Sequence, residues 1–209
     1  MEKICRLVAK RRKLTFVLRA FCHAVSAVAV AAFALGFRFY LNISPARAIE
    51  YLVVLGIPFA IVSLLRKYIG APRPYEIYDF YERKPKDSEK NSFPSRHAFS
   101  IFAIGTLTVF IYPVFGVVLL VLGVAMCVCR VLLVYHFIRD VLAGGLIGTL
   151  SSFIEKGLEQ TIEYMDKCGG TINEGHFILF DRRPNRPWDE KIWHRTEEYK
   201  GRRIEVWGM

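Results

Sequence analysis

A chain of 209 residues that is 53% hydrophobic and still carries a formal charge of +10 has its apolar residues gathered into runs, which excludes an ordinary soluble domain. Its five cysteines (Cys5, Cys22, Cys127, Cys129 and Cys168) are odd in number and lack paired Cys-x-x-Cys spacing, so neither a disulfide framework nor a zinc site is indicated. They read as small apolar packing residues, and no nucleic-acid partner is expected.

Residues 1–13 set Lys3, Arg6, Lys10, Arg11, Arg12 and Lys13 among apolar residues, as either a helix lying on anionic headgroups or a plain positive flank. Residues 14–41 are almost continuously apolar, broken mainly by Arg19, His23 and Arg38. A helix of that length exceeds the roughly 30 Å hydrocarbon core. A basic start before an apolar run also suits a signal peptide. The run is too long for that, and no small-residue cleavage pattern follows Phe37-Arg38-Phe39-Tyr40, so the span is expected to be retained.

Further spans are predicted at 46–65, 98–112, 114–134 and 138–154. The third and fifth are short, but from 98 to 154 only Arg130, His136, Arg139 and Asp140 are strongly polar or ionisable, more apolar length than a soluble domain of this size can bury. Between the second and third spans lies a polar stretch, 71–92, with Tyr75, Tyr78, Phe80 and Tyr81, the aromatic type enriched at membrane interfaces. It is expected to act as a lid. After 154 the chain turns polar, with apolar runs at 177–180 and 204–207 and a proline-rich break at 184–187. No chemistry is read there: His176 and His194 have no carboxylate or cysteine at ligand spacing, and no metal is expected. The predicted fold is an all-α integral membrane helical bundle of about five transmembrane helices, with a basic segment (1–13), a membrane-embedded domain (14–154) and a polar C-terminal tail (155–209).

Threading five spans through a bilayer brings three separated pieces to one face: Arg66 to Pro74, Pro94-Ser95-Arg96-His97, and Arg130 with His136 and Asp140. His136 and Asp140 are four apart, so on a helix the carboxylate can accept the imidazole N–H and leave the other ring nitrogen as a nucleophile. The alternative is a structural bridge between helices. His97 opens the third span, where backbone N–H groups and the helix dipole favour an anion; Ser95 adds a donor and Arg96 a charge. Arg66, Lys67, Arg73 and Arg130 lie at span ends, either snorkelling to headgroups or gripping phosphate oxygens.

These pieces together resemble the three-part signature of the type 2 phosphatidic acid phosphatase superfamily, whose members include lipid phosphate phosphatases, undecaprenyl diphosphatases and vanadium haloperoxidases. The family pattern runs Lys, six residues, Arg-Pro; then Pro-Ser-Gly-His; then Ser-Arg, five residues, His, three residues, Asp. Arg73-Pro74, Pro94, Ser95, His97, Arg130, His136 and Asp140 match it in order and spacing, over roughly residues 50–154. Three positions depart: Arg66 stands where the family has Lys, with Lys67 one place out of register; Arg96 replaces Gly; and Cys129 replaces the Ser before Arg130.

The resemblance implies a metal-independent hydrolysis of a lipid phosphate or diphosphate through a phosphohistidine. His136 is the nucleophile, Asp140 its orienting acid and His97 the proton donor; Arg66 or Lys67, Arg73, Ser95, Arg96 and Arg130 hold the phosphate. It implies no cofactor, a lipid phosphate partner such as undecaprenyl diphosphate, phosphatidate or phosphatidylglycerophosphate, and a site on the extracytoplasmic side of the cell membrane. Five spans put the amino terminus on the site's side, and its basic residues argue for the cytoplasm instead. Two rival readings stand beside the hydrolase: a membrane scaffold impaired at Arg66 and Cys129, and a vanadate-binding haloperoxidase.

Overall fold

The computed structural model describes residues 2–78, 91–167, 174–179, 187–199 and 202–209. Most of the expected lid, including Phe80 and Tyr81, lies outside them, as do Cys168 and Pro184. Within them the chain forms α1 (Glu2–Lys10), α2 (Arg12–Ile43), α3 (Pro45–Ile69), α4 (Pro74–Ile77), α5 (Arg96–Ile111), α6 (Pro113–Leu132), α7 (Ile138–Lys167), β1 (Glu174–Leu179), α8 (Trp188–Lys191), β2 (Trp193–Tyr199) and β3 (Arg202–Gly208). Two compact units result, 1–152 and 153–209.

Helices α2, α3, α5, α6 and α7 coincide with the five predicted spans, so the chain is an integral membrane helical bundle. Four have the length and hydropathy to cross a bilayer, while α5 has only 16 residues. Packing explains the short one. One face of α5 (Ile101) joins Cys22, Val25 and Ala29 of α2, Met126 and Cys129 of α6, and Leu133 just past the end of α6. The other (Phe99, Ala103, Leu107) joins Tyr51, Leu55 and Val62 of α3. A helix surrounded by protein need not match the hydrocarbon thickness, and it reads apolar all round.

Helix ends follow local chemistry. Ser44 caps α3, its Oγ accepting from Arg47 N at 3.2 Å, with Pro45 in the first turn. Gly70 ends α3 in the left-handed conformation at φ 57°. Helix α6 ends in the same way without a glycine: Tyr135 N donates to Arg130 O, Val134 N donates to Val131 O, and Val134 takes φ 62°. A β-branched residue held there costs on the order of 1–2 kcal/mol. The turn it makes delivers His136 between α6 and α7.

Glycines Gly144 and Gly148, one turn apart on α7, let that helix lie against the backbone of α5. A Cβ at either would come within 2.4 Å of Ser95 O or Phe99 O. The start of α5 and the start of α7 are thereby locked together.

The second unit departs from the expected polar tail. Helix α7 continues to Lys167, and the strands form a three-stranded sheet in the order β1-β3-β2, β1 parallel and β2 antiparallel to β3. Ile204 and Val206 are buried against Leu158, Phe177 and Leu179. Phe177 and Leu179, from the first apolar run, and Ile204 and Val206, from the second, share the apolar face of this sheet, so the chain holds a β element that an all-α reading omits. Their alternation is too short to distinguish a strand from a loop without the partner strands.

Candidate active site

All three sequence pieces meet at one end of the bundle. Arg66, in the last turn of α3, is 5% exposed; Nη1 donates to Pro94 O at 3.2 Å and Nη2 donates to Asn91 O. Ala71 O accepts from both Asn91 N and Ser92 N at 2.8 Å. The first piece therefore holds the loop carrying the second. Lys67, one residue on, is exposed, so of the two candidate cations only Arg66 faces the loop.

The second piece is tied to the third. Ser95 N donates to Asp140 O at 2.9 Å, and Ser95 Oγ accepts from Ala98 N at 3.4 Å as the cap of α5. Ser95 is wholly enclosed, which places its hydroxyl in the helix cap. Arg96 and His97 are exposed at the first turn of α5. His97 lies in the electrostatic field of Arg130, His136, Arg96 and Arg66, and Arg66 in that of Arg96, Arg73 and Asp140.

His136 and Asp140 are 2% and 0% exposed. Their Nδ1 and Oδ2 atoms stand 3.6 Å apart, beyond hydrogen-bond length, whereas the four-residue spacing predicts a direct bond. A residue that sequence reasoning missed shares the same carboxylate oxygen. Ser92, also fully buried, donates its Oγ–H to Asp140 Oδ2 and sits 3.5 Å from His136 Nδ1. Phe137 N donates to the same Oδ2 at 2.9 Å. Ser92 lies in no spaced pattern with His136 and outside the family signature, which begins again at Pro94. Burial pushes the imidazole of His136 below its ordinary value, Asp140 opposes this, and Arg73 and Arg130 reinforce it.

Arg73 and Arg130 supply the remaining charge. Each guanidinium stands near an aromatic ring, Arg73 at 5.8 Å from Tyr75 and Arg130 at 5.8 Å from Tyr135. The Nε atoms of both are buried with no hydrogen-bond partner among the described residues, as is Asp140 Oδ1. Buried donors without acceptors are costly and suit an anionic ligand with several oxygens. Among the described residues no group of His, Cys, Asp or Glu has metal-ligand geometry.

The PAP2 superfamily model matches residues 47–162, more than half of the chain. The protein belongs to the PAP2 superfamily. Bacitracin transport permease protein BcrC of Bacillus licheniformis is 31% identical over 100 residues, 46% of this chain and 49% of that one; the chain thus spans about half the length of this curated relative. Two solved structures share the fold: a transmembrane PAP2 type phosphatidylglycerolphosphate phosphatase from Bacillus subtilis (TM-score 0.55, 23% identity, 77% of this chain and 87% of that one) and Aquifex aeolicus LpxE (TM-score 0.55, 20% identity, 74% and 93%).

The departures of this PAP2 chain from the family signature fall in different surroundings. Arg66 spends its planar fork on two carbonyls of the loop before α5. Cys129 packs among Cys22, Val25 and Met126 in the apolar seam between α2 and α6. Arg96 is exposed and lines a cleft with His97.

Proposed function

We propose that this PAP2 protein is a membrane lipid phosphatase that hydrolyses a lipid phosphate or diphosphate without a metal. The observation that carries this reading is the convergence of His136, Asp140 and His97 with Arg73 and Arg130, whose buried Nε atoms have no acceptor among the described residues. His136, held neutral by burial, attacks phosphorus in line through the nitrogen that faces away from Asp140. His97 protonates the departing oxygen, then takes a proton from the water that cleaves the phosphohistidine. Arg73 and Arg130 stabilise the equatorial oxygens in the transition state. Arg66 adds charge and holds the loop, Ser95 fixes the start of α5, and exposed Lys67 serves the headgroup region. His136 is 2% exposed, so the site must open before phosphate enters.

The site sits at the end of the bundle where Cys5 of α1 packs with Tyr75 and Val134, on the same side as the amino terminus. Placing that side outside the cytoplasm follows the family; impermeant thiol labelling of a cysteine introduced at Glu76 in intact cells tests it, and protection reverses the assignment. Phosphate release from phosphatidate and from a prenyl diphosphate, in detergent with and without EDTA, tests the activity. Release insensitive to EDTA supports the reading. No release from either, or strict dependence on magnesium, overturns it.

A further inference from the structure

Two tyrosines that the family signature does not specify connect two of its arginines. Tyr135 follows the left-handed turn at Val134, and its N–H donates to Arg130 O at 3.1 Å, which folds the chain back on the end of α6. Its ring then lies against the guanidinium of the same residue, 5.8 Å from the ring centroid. Tyr75 meets that ring edge-on, with centroids 6.4 Å apart and planes at 89°, the perpendicular arrangement that ring quadrupoles favour. Tyr75 is 2% exposed, packs with Cys5 and Val134, and carries Arg73 over its own ring at 5.8 Å.

A third guanidinium completes the group. Arg19 of α2 stands 6.0 Å from the centroid of the Tyr135 ring. Arg12 opens α2, so Arg19 lies two turns, about 10 Å, along it and inside the first apolar span. A charge at that depth is costly and turns toward protein partners, and the Tyr135 ring is such a partner. The ring matters for Arg130 because a transition-state donor acts only when it is held in place beforehand, and an arginine has many rotamers to lose. Arg66 is held by giving two donors to the carbonyls of Pro94 and Asn91. Arg130 is held differently: its buried Nε has no acceptor among the described residues, and a ring face attracts a guanidinium without consuming its N–H groups. Its donors stay available for an anion while its place is fixed.

We propose that Tyr135 is the positioning residue for Arg130, with Arg19 of α2 and Tyr75 of α4 holding its ring. This rests on the lipid phosphatase reading and adds to its site three residues that the signature does not contain. Arg19 and Tyr135 act on the phosphoryl group only through Arg130. The first apolar span thereby contributes to the site from outside the three sequence pieces that compose it.

The test is a double-mutant cycle on the purified full chain in detergent, using whichever of phosphatidate and farnesyl diphosphate the wild type cleaves faster. Tyr135→Leu, which removes the ring and keeps an apolar side chain, should lower kcat roughly 3- to 30-fold, the range of one ring–cation contact, with KM within about twofold. Tyr135→Phe keeps the ring and should recover most of that loss. Arg19→Gln should lower kcat about two- to fivefold. In an Arg130→Gln background the losses from Tyr135→Leu and from Arg19→Gln should each shrink below about twofold, because the group they position is gone. An effect passed instead to the neighbouring His136, or a loss of folded protein, would persist in that background. Additive losses therefore overturn the proposal, as does full activity in Tyr135→Leu. Where Tyr135→Leu does not fold, the cycle of Arg19→Gln with Arg130→Gln decides, since Arg19 is exposed. An active wild type with additive losses leaves the phosphatase reading standing, whereas a wild type inactive on both substrates overturns the two together.

Discussion

Two buried carboxylates in this protein each face a histidine, and they are served in opposite ways. Glu205, on the outer face of β3, has both oxygens engaged: Oε2 accepts from His194 Nε2 and from Thr196 Oγ1 at 2.9 Å, and Oε1 accepts from Arg203 Nε. Those hydrogen bonds hold its carboxyl below the usual carboxylate range against the opposing effect of burial. His194 lies against Trp207 with its ring tilted by 30° and ring centroids 4.1 Å apart. Asp140, at the start of α7, has one oxygen crowded by Ser92 and Phe137 and the other without a hydrogen bond among the described residues, facing Arg139 Nε as an ion pair at 3.5 Å, and its histidine stands 3.6 Å away. A fully satisfied network rigidifies a fold, whereas an under-satisfied one keeps groups poised for a ligand. The first arrangement belongs to structure and the second to chemistry.

Replacing each histidine is the most severe way to break this contrast. His136→Ala should lower turnover at least about 10⁴-fold, and His97→Ala roughly 10²- to 10⁴-fold, with the detergent-solubilised protein still folded by thermal melt. His194→Ala should leave phosphate release within about twofold, as a change outside the machinery does. Comparable losses from His194→Ala would erase the distinction between the two pairs.

Next come the arginines with orphaned donors. Arg130→Gln or Arg73→Gln should each cost roughly 10²- to 10³-fold in kcat, the scale of a lost transition-state donor, measured under substrate saturation. An effect confined to KM would instead place them in ground-state binding.

Ser92→Ala sharpens the comparison at Asp140 itself. With the hydroxyl gone, the carboxylate turns to His136 Nδ1 and favours the charged imidazole, so the acid limb of kcat/KM should move up by roughly one pH unit. A fall in kcat of about tenfold should accompany it. Loss of kcat with an unmoved limb would make Ser92 a packing residue.

In the wild type, burial lowers the His136 pKa, so its nucleophilic form persists below the ordinary value of about 6.5. The acid limb of kcat/KM is therefore expected below pH 6.5, read from a pH–rate profile. The same shift makes the unfolded chain the stronger proton binder, so this residue's contribution to stability is present above pH 6.5 and is lost as pH falls through the folded value. The smallest effect belongs to the sheet: Glu205→Gln should lower the thermal midpoint by a few degrees while leaving turnover unchanged, because it weakens a satisfied network without touching phosphate.

Much of this was legible in the chain. Helix positions followed from runs of apolar residues, since a bilayer forces each polar backbone group to pair within its own helix. The shared end of the bundle followed from counting crossings, and His136 and Asp140 fell on one face by their four-residue spacing. The family signature covered eight residues at fixed positions. All of these signals are local, or depend only on the parity of spans.

What only the tertiary structure decided depends on approach between distant segments. The hydroxyl of Ser92 reaches Asp140 beside His136 because Gly144 and Gly148 admit the backbone of α5, a contact no periodicity encodes. Arg66, and not Lys67, faces the loop because one residue on a helix turns a side chain by about 100°. The β1 and β3 segments become a sheet because each has an edge the other pairs, and a strand without its partner has no hydrogen bonds to predict. Residue types and their spacing determined which groups are present; long-range packing decided which of them are satisfied and which remain poised.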